Sequence, residues 1–346
     1  MTDANLFAQQ QANRRRSNLL VGGFIVFFAW AGFGGDIAFG LLTADSPPGS
    51  YRHVVPFIGI VTTLVASGIC LNAWRRGAER VLWSAGAWEI VEPGTPEQRQ
   101  YVNVVEEMAI AAGLPRPRIW LVPDDDPNAL ATGRDPTTAN IAVTEGLLQR
   151  LSRDELQGVV AHELAHIRNY DTRLMTLLAG MVGAILLLSD GAWRMLRGGA
   201  RMGGGGRGGG GGGGGGGRKG GAGALGVVVL VVWLLTLIMA PVVTRLLAMA
   251  VSRKREYLAD ASGAQFTRNP AALASALEKL GAESGATRAI TRGAAHLCIV
   301  DPSERRFSER EGFLGDLLAS HPPLNQRIIR LRGMAFQREK QEAAPA

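Results

Sequence analysis

The stretch Val159-Val160-Ala161-His162-Glu163-Leu164-Ala165-His166-Ile167-Arg168-Asn169-Tyr170-Asp171 decides how this chain is read. It ends a segment, Ser152 to Asn169, whose pattern is helical. Ser152 stands as the N-cap and Glu155, three residues on, completes a capping box. On a helix, positions i and i+4 share a face. His162 and His166 therefore converge on one point, as two ligands of a zinc ion must. Glu163 can reach a metal-bound water without ligating the metal, which is where a general base is needed. With five histidines in 346 residues, a chance H-E-x-x-H is an event on the order of a per cent or less.

A catalytic zinc needs three protein ligands and an open position. The place of the third depends on four apolar segments. The first, about Leu19 to Leu42, follows Arg14, Arg15 and Arg16 and has no clear cleavage site, so it reads as an uncleaved signal anchor. Asp36 inside it is expected to face a neighbouring helix. The second, about Val54 to Trp74, ends at Arg75 and Arg76. The loop between them carries little positive charge. Residues 18–76 thus read as a transmembrane hairpin, with residues 1–17 a cytoplasmic tail. The third segment, Leu174 to Leu188, is short for a span; the fourth, Ala224 to Met249, is ample. Together they make a hydrophobic hairpin over 174–251. It is joined by a glycine-rich connector, 198–223, with an unbroken run from Gly208 to Gly217 that cannot pack. Arg201, Arg207, Arg218 and Lys219 in that connector oppose an outward crossing by the positive-inside tendency. Either the first hairpin dominates the topology or the third segment only dips into the bilayer.

His166 lies eight residues before the third segment, and Glu256 a few residues after the fourth. If those segments pair, both places emerge at one membrane face, within about 10–15 Å of it. Glu256 is then the best-placed carboxylate, with His296 and His321 as the other downstream candidates. Asp260, one helical turn past Glu256, can accept the outer N–H of a ligand histidine, and Asp171 can do the same.

The remaining sequence is mixed. Pro96 to Ala112 reads as an amphipathic helix ended by Gly113. Arg118 to Val122 and Asn140 to Thr144 read as strands, with a turn at Asp124 to Pro127. The expected fold is mainly α with a small β-sheet, fused to transmembrane helices. The domain that carries the metal motif is expected in two parts, 77–173 and 252–335, with 336–346 as a disordered tail.

The motif His162-Glu163-Leu164-Ala165-His166 with Asp171, then Ser252-Arg253-Lys254-Arg255-Glu256-Tyr257-Leu258-Ala259-Asp260, then Ser320-His321-Pro322-Pro323, resembles the HtpX and CAAX prenyl protease family of membrane zinc metallopeptidases. Asn128-Ala129-Leu130-Ala131-Thr132-Gly133 and Ala142 to Leu148 agree with it, and the likeness covers about Leu114 to Leu331 plus the two leading spans. The resemblance implies an α+β, gluzincin-like domain with one Zn2+ per chain, held by His162, His166 and Glu256, and Glu163 as base. It implies Asp260 behind the ligands, and His321 and Arg327 as donors near the developing oxyanion. It makes 128–132 an edge strand whose Asn128, Ala129 and Ala131 pair with an extended substrate backbone. It further implies an endopeptidase in the cell's inner membrane, multi-pass, with its catalytic domain toward the cytoplasm, cleaving misfolded or damaged membrane proteins. The alternatives are a CAAX-type maturation protease, or a membrane adaptor whose structural zinc takes a fourth ligand from His296 or His321. The glycine-rich connector departs from the family pattern.

Composition agrees with a bilayer and not with nucleic acid. The chain is 47% hydrophobic with net charge +7, and its Lys and Arg cluster beside the apolar runs. No basic stretch is interleaved with aromatics. Cys70 and Cys298 form no C-x-x-C pair or disulfide framework, which suits a reducing compartment.

Overall fold

A first helix, α1 (Asp3–Thr43), carries the basic cluster and the first apolar run without a break. α2 (Phe57–Ser84) likewise runs past Arg75 and Arg76. The computed structural model describes residues 3–44, 47, 49–181, 228–229, 231–233, 253–282, 287, 289–290, 297–300 and 322–342. His296, His321, the glycine-rich connector, residues 182–188 of the third apolar segment and most of the fourth lie outside the described residues.

The chain divides into two units, residues 1–19, 72–180 and 244–346 in one, and 20–71 and 181–243 in the other. The two expected halves of the metalloprotease-type domain, 77–173 and 252–335, therefore fall within one unit.

In the larger unit, β1 (Trp88–Glu89) leads to α3 (Pro96–Ala112). Thr95 accepts from the Gln98 amide, and Pro96 presets the first helical turn. Gly113, at φ 67°, supplies the left-handed C-cap that few other residues tolerate. The buried face of α3, with Val102, Val105 and Met108, joins the main core. Next come β2 (Arg118–Val122), β3 (Ala129–Thr132), a 3-10 turn (Pro136–Thr138) and β4 (Asn140–Thr144). The sheet order is β1-β2-β4-β3. The central pair β2 and β4 is parallel, and both outer pairings are antiparallel. Every residue of β4 and all of β2 but Arg118 are buried, as expected of a parallel pair covered on both faces.

α4 (Glu145–Arg150) precedes α5 (Arg153–Arg168), the helix of the opening motif. Its capping box forms as read: Ser152 N donates to Glu155 Oε2 at 2.8 Å, and Ser152 Oγ accepts from Glu155 N. Glu155 also binds Lys279 Nζ at 2.7 Å and Ser275 Oγ at 2.6 Å. The unbroken run Gly158–Ala165 is buried, the mark of a central helix. α6 (Arg253–Thr267), α7 (Pro270–Ala282) and α8 (Leu324–Glu342) complete the unit. α6 crosses α5 closely: a Cβ on Gly263 would stand 3.1 Å from His162 N. That approach sets the start of α6 beside the histidines.

In the smaller unit, Asp36 is buried and caps the start of α2. It accepts from Gly59 N at 2.6 Å and Ile58 N at 3.3 Å, and meets His53 Nε2 at 2.6 Å. The expected neighbouring helix is thus α2. α1 and α2 are long and apolar enough to cross a membrane, and only 28% and 22% of their apolar windows are buried. A soluble core helix would be mostly buried.

Residues 3–17, expected as a cytoplasmic tail, are helical, and one expected boundary shifts. Residues 336–342, expected to be disordered, continue α8: the segment is rich in Gln, Glu, Lys and Arg, and Arg338 binds Glu342 one turn on at 2.7 Å.

Candidate metal centre

Three side chains from two helices meet at the α5–α6 crossing. His162 Nε2 and His166 Nε2 are 3.2 Å apart. Glu256 Oε2 lies 3.6 Å from the first, and Oε1 lies 3.5 Å from the second. Ligand atoms bound at about 2.1 Å in tetrahedral directions stand about 3.4 Å from one another. The observed spacings match that edge, and the donor set of two imidazoles and one carboxylate suits zinc. Among the described residues no further His, Cys, Asp or Glu joins this cluster.

Each histidine is turned by a carboxylate on its outer nitrogen. His162 Nδ1 is 3.0 Å from Asp260 Oδ1, and His166 Nδ1 is 3.1 Å from Asp171 Oδ2. Such partners hold the proton on Nδ1 and aim the Nε2 lone pair inward. The reach of Asp171 depends on Tyr170, whose left-handed backbone (φ 59°) turns the chain back after α5. Arg14 stacks on the Tyr170 ring at 4.2 Å.

Arg327 comes from α8 and is fully buried. Its Nε and Nη2 donate to the two oxygens of Asp260 at 2.9 and 2.7 Å, and Nη1 donates to the Ile299 carbonyl at 3.0 Å. Nη1 also lies 3.5 Å from Glu256. The guanidinium, expected as a donor near the developing oxyanion, forks onto the carboxylate behind His162, and its Nη2 also lies 3.4 Å from His162 Nε2.

Charge follows these contacts. Burial opposes protonation of His162, but Asp260 and Glu256 outweigh it and lift its pKa to about 9. Burial pushes Asp260 up, yet Arg327 and His162 overcome that and hold it at about 2. Burial raises the Glu163 carboxyl above its usual range, against the pull of both histidines, the direction that suits a proton acceptor near neutral pH. Glu163 lines the same pocket as the three candidate ligands, with Ala131 and Leu297 to Ile299.

Ala129 and Ala131 lie in β3, the outer strand of the sheet, and Asn128 directly precedes it, but the free side of β3 is partly taken. Leu130 bridges Cys298 in antiparallel fashion, and Ile299 N donates to the Ala129 carbonyl at 2.9 Å. Asn128 Nδ2 donates to the Val300 carbonyl and to Thr287, each at 3.0 Å. Sequence reasoning missed this pairing and also missed Asn13, whose amide donates to Asp171. A signal existed for the latter: Gln10, Asn13 and Ser17 form a polar stripe at helical spacing.

Comparison with known proteins identifies the family. Residues 96–335 match the model of Peptidase family M48. A protein named Protease HtpX homolog in Streptococcus gordonii is 36% identical, covering 95% of this chain and 100% of its own. Another of that name in Thermoanaerobacter pseudethanolicus is 42% identical over 70% of this chain and 75% of its own. A solved structure, that of S. mikatae Ste24p, aligns over 94% of this chain and 67% of that one, at 18% identity and a TM-score of 0.43. The family match spans more than half of the chain and contains all the candidate ligands, so the chain belongs to peptidase family M48 and is a metalloprotease.

Proposed function

We propose that the protein is a membrane-embedded zinc endopeptidase that hydrolyses membrane proteins at the cytoplasmic face of the cell membrane, in a quality-control role. The observation that carries this reading is the meeting of two imidazole nitrogens 3.2 Å apart with the Glu256 carboxylate, whose Oε2 lies 3.6 Å from one and Oε1 3.5 Å from the other, and with Glu163 in the same pocket. His162, His166 and Glu256 would hold the ion. When bound there, zinc lowers the pKa of a water toward about 7 and polarises a carbonyl. Among the described residues the cluster offers three protein ligands, which leaves a position for that water and favours catalysis over a closed structural site.

The chain's own residues do the rest. Glu163 takes the proton from the attacking water and passes it to the leaving amine, so that the amine departs neutral. Asp260 and Asp171 keep the imidazoles oriented. Arg327 fixes Asp260 and balances the buried acidic charge. An extended substrate backbone pairs with β3 at Ala129 and Ala131, taking the place now held by residues 298–299. The basic residues at both ends of the first hairpin support a catalytic unit on the cytoplasmic side. A site at that height reaches loops that protrude only slightly from the bilayer.

Glu163→Gln in detergent tests the reading. The variant is expected to keep one zinc per chain and lose cleavage of an unstable membrane protein by about 10²–10⁴-fold. Full activity in that variant removes Glu163 as the base.

A further inference from the structure

We infer that Asn13 of α1 is a positioning residue for the metal centre, acting on His166 through Asp171. The inference rests on the metal reading above. It starts from the end of α5, where the last carbonyls lack partners within the helix. Gln10 Nε2 donates to the Arg168 carbonyl at 2.8 Å, and Asn13 Nδ2 donates to the Asn169 carbonyl at 3.0 Å. The N-terminal helix thus supplies the donors that this C-terminus needs.

Asn13 does a second thing that Gln10 does not. Its amide also donates to Asp171 Oδ1 at 2.6 Å, while Asp171 Oδ2 faces His166 Nδ1 at 3.1 Å. Both partners of the amide are acceptors, so its NH2 must point at them. Asn13 and Asp171 are each 1% exposed, so water does not replace the bond, and a buried carboxylate left short of donors is costly. Asp171 follows Tyr170, whose left-handed backbone leaves the regular helix. Its carboxylate plane is therefore set by side-chain contacts. Arg255 stands farther from Oδ1, at 3.9 Å. The clamp from Asn169 O through the Asn13 amide to Asp171 is what keeps Oδ2 on the imidazole. The helix that carries the first apolar run thereby reaches the metal through three side chains.

The test measures zinc affinity of the full chain in detergent, by competition with a chromogenic chelator. Partners of ligand histidines are worth about 10–100-fold in affinity. Asp171→Asn is expected to weaken zinc within that range, and Asn13→Ala by about tenfold, its lower end. Asn13→Asp keeps the shape but lacks the amide hydrogens, and loosens zinc at least as far. Gln10→Ala, which removes only the neighbouring carbonyl contact, leaves affinity unchanged. In an Asp171→Asn background, Asn13→Ala adds less than about twofold, because residues in one hydrogen-bond chain are not additive. Unchanged affinity in both Asn13 variants would overturn the inference. So would an Asn13→Ala effect that multiplies with that of Asp171→Asn, since the amide would then act through folding alone. Wild-type protein that binds no zinc, or binds it equally well after His166→Ala, overturns the metal reading with it; intact wild-type binding with insensitive Asn13 variants overturns this inference only.

Discussion

Arg327→Met is the most informative single change outside the ligands. It replaces a fully buried guanidinium by an apolar side chain of similar length and leaves Asp260 as a buried carboxylate without its fork. Two routes give the size of the effect. Removing one partner of a buried ion pair costs about 3–5 kcal/mol. Independently, a carboxylate drawn from 3.8 to about 2 is stabilised by about 2–3 kcal/mol, a sum that Arg327 shares with His162. The Ile299 carbonyl, which loses its donor, adds about 1 kcal/mol. Metal-free protein in detergent should therefore lose about 3 kcal/mol of unfolding free energy at pH 7. Because the pKa of Asp260 is depressed, its contribution is present above pH 3.8 and fades as pH falls toward 2, so the difference from wild type narrows in acid. Asp260→Asn combined with Arg327→Met should cost less than the two singles added, by about 2 kcal/mol. The assay is denaturant unfolding of the chelated protein in a four-member cycle. A single-variant loss under about 1 kcal/mol, or simple additivity, would refute the assigned partnership.

Zinc affinity should rise with pH. His162 in the metal-free protein is held at about 9, so a bound ion displaces a proton at neutral pH, and affinity climbs about tenfold per pH unit from 7 until it levels near 9; calorimetry in buffers of different ionisation heat should count about one proton. The same raised pKa gives the metal-free protein stability that is complete below 6.5 and lost as pH rises through 9. Ile299→Pro removes the N–H that occupies the Ala129 carbonyl and should lower KM for an unfolded protein substrate about fivefold, the equivalent of about 1 kcal/mol; steady-state cleavage showing a higher KM would count against substrate pairing on β3.

Much of the fold near the site was legible because its signals are local. Pro96 and Gly113 bound α3 at the expected residues, and the apolar runs at 118–122 and 140–144 became the parallel pair. The meeting of His162, His166 and Glu256 followed from the i,i+4 rule and the spacing of the apolar segments. What escaped reading depends on distant partners. Asn13 is 158 positions from Asp171, and nothing in a polar stripe names its acceptor. Arg327 shows only a charge near the end of the chain; the α8 packing that forks it onto Asp260 exists in three dimensions alone. The pairing of residues 298–299 with β3 has no turn or repeat to announce it. The helical extension at 336–342 escaped the reading because a charge-rich segment looks like a tail, although Arg, Gln, Glu and Lys are good helix formers.

The central claim is tested most directly by zinc content and X-ray absorption of the purified protein beside Glu256→Gln. One zinc per chain is expected in the wild type, with two imidazole nitrogens at about 2.0–2.1 Å, a carboxylate oxygen at about 2.0–2.2 Å and an exchangeable water. The carboxylate contribution and most of the metal should be lost in the variant. Stoichiometric zinc with an unchanged coordination shell in Glu256→Gln would contradict the account.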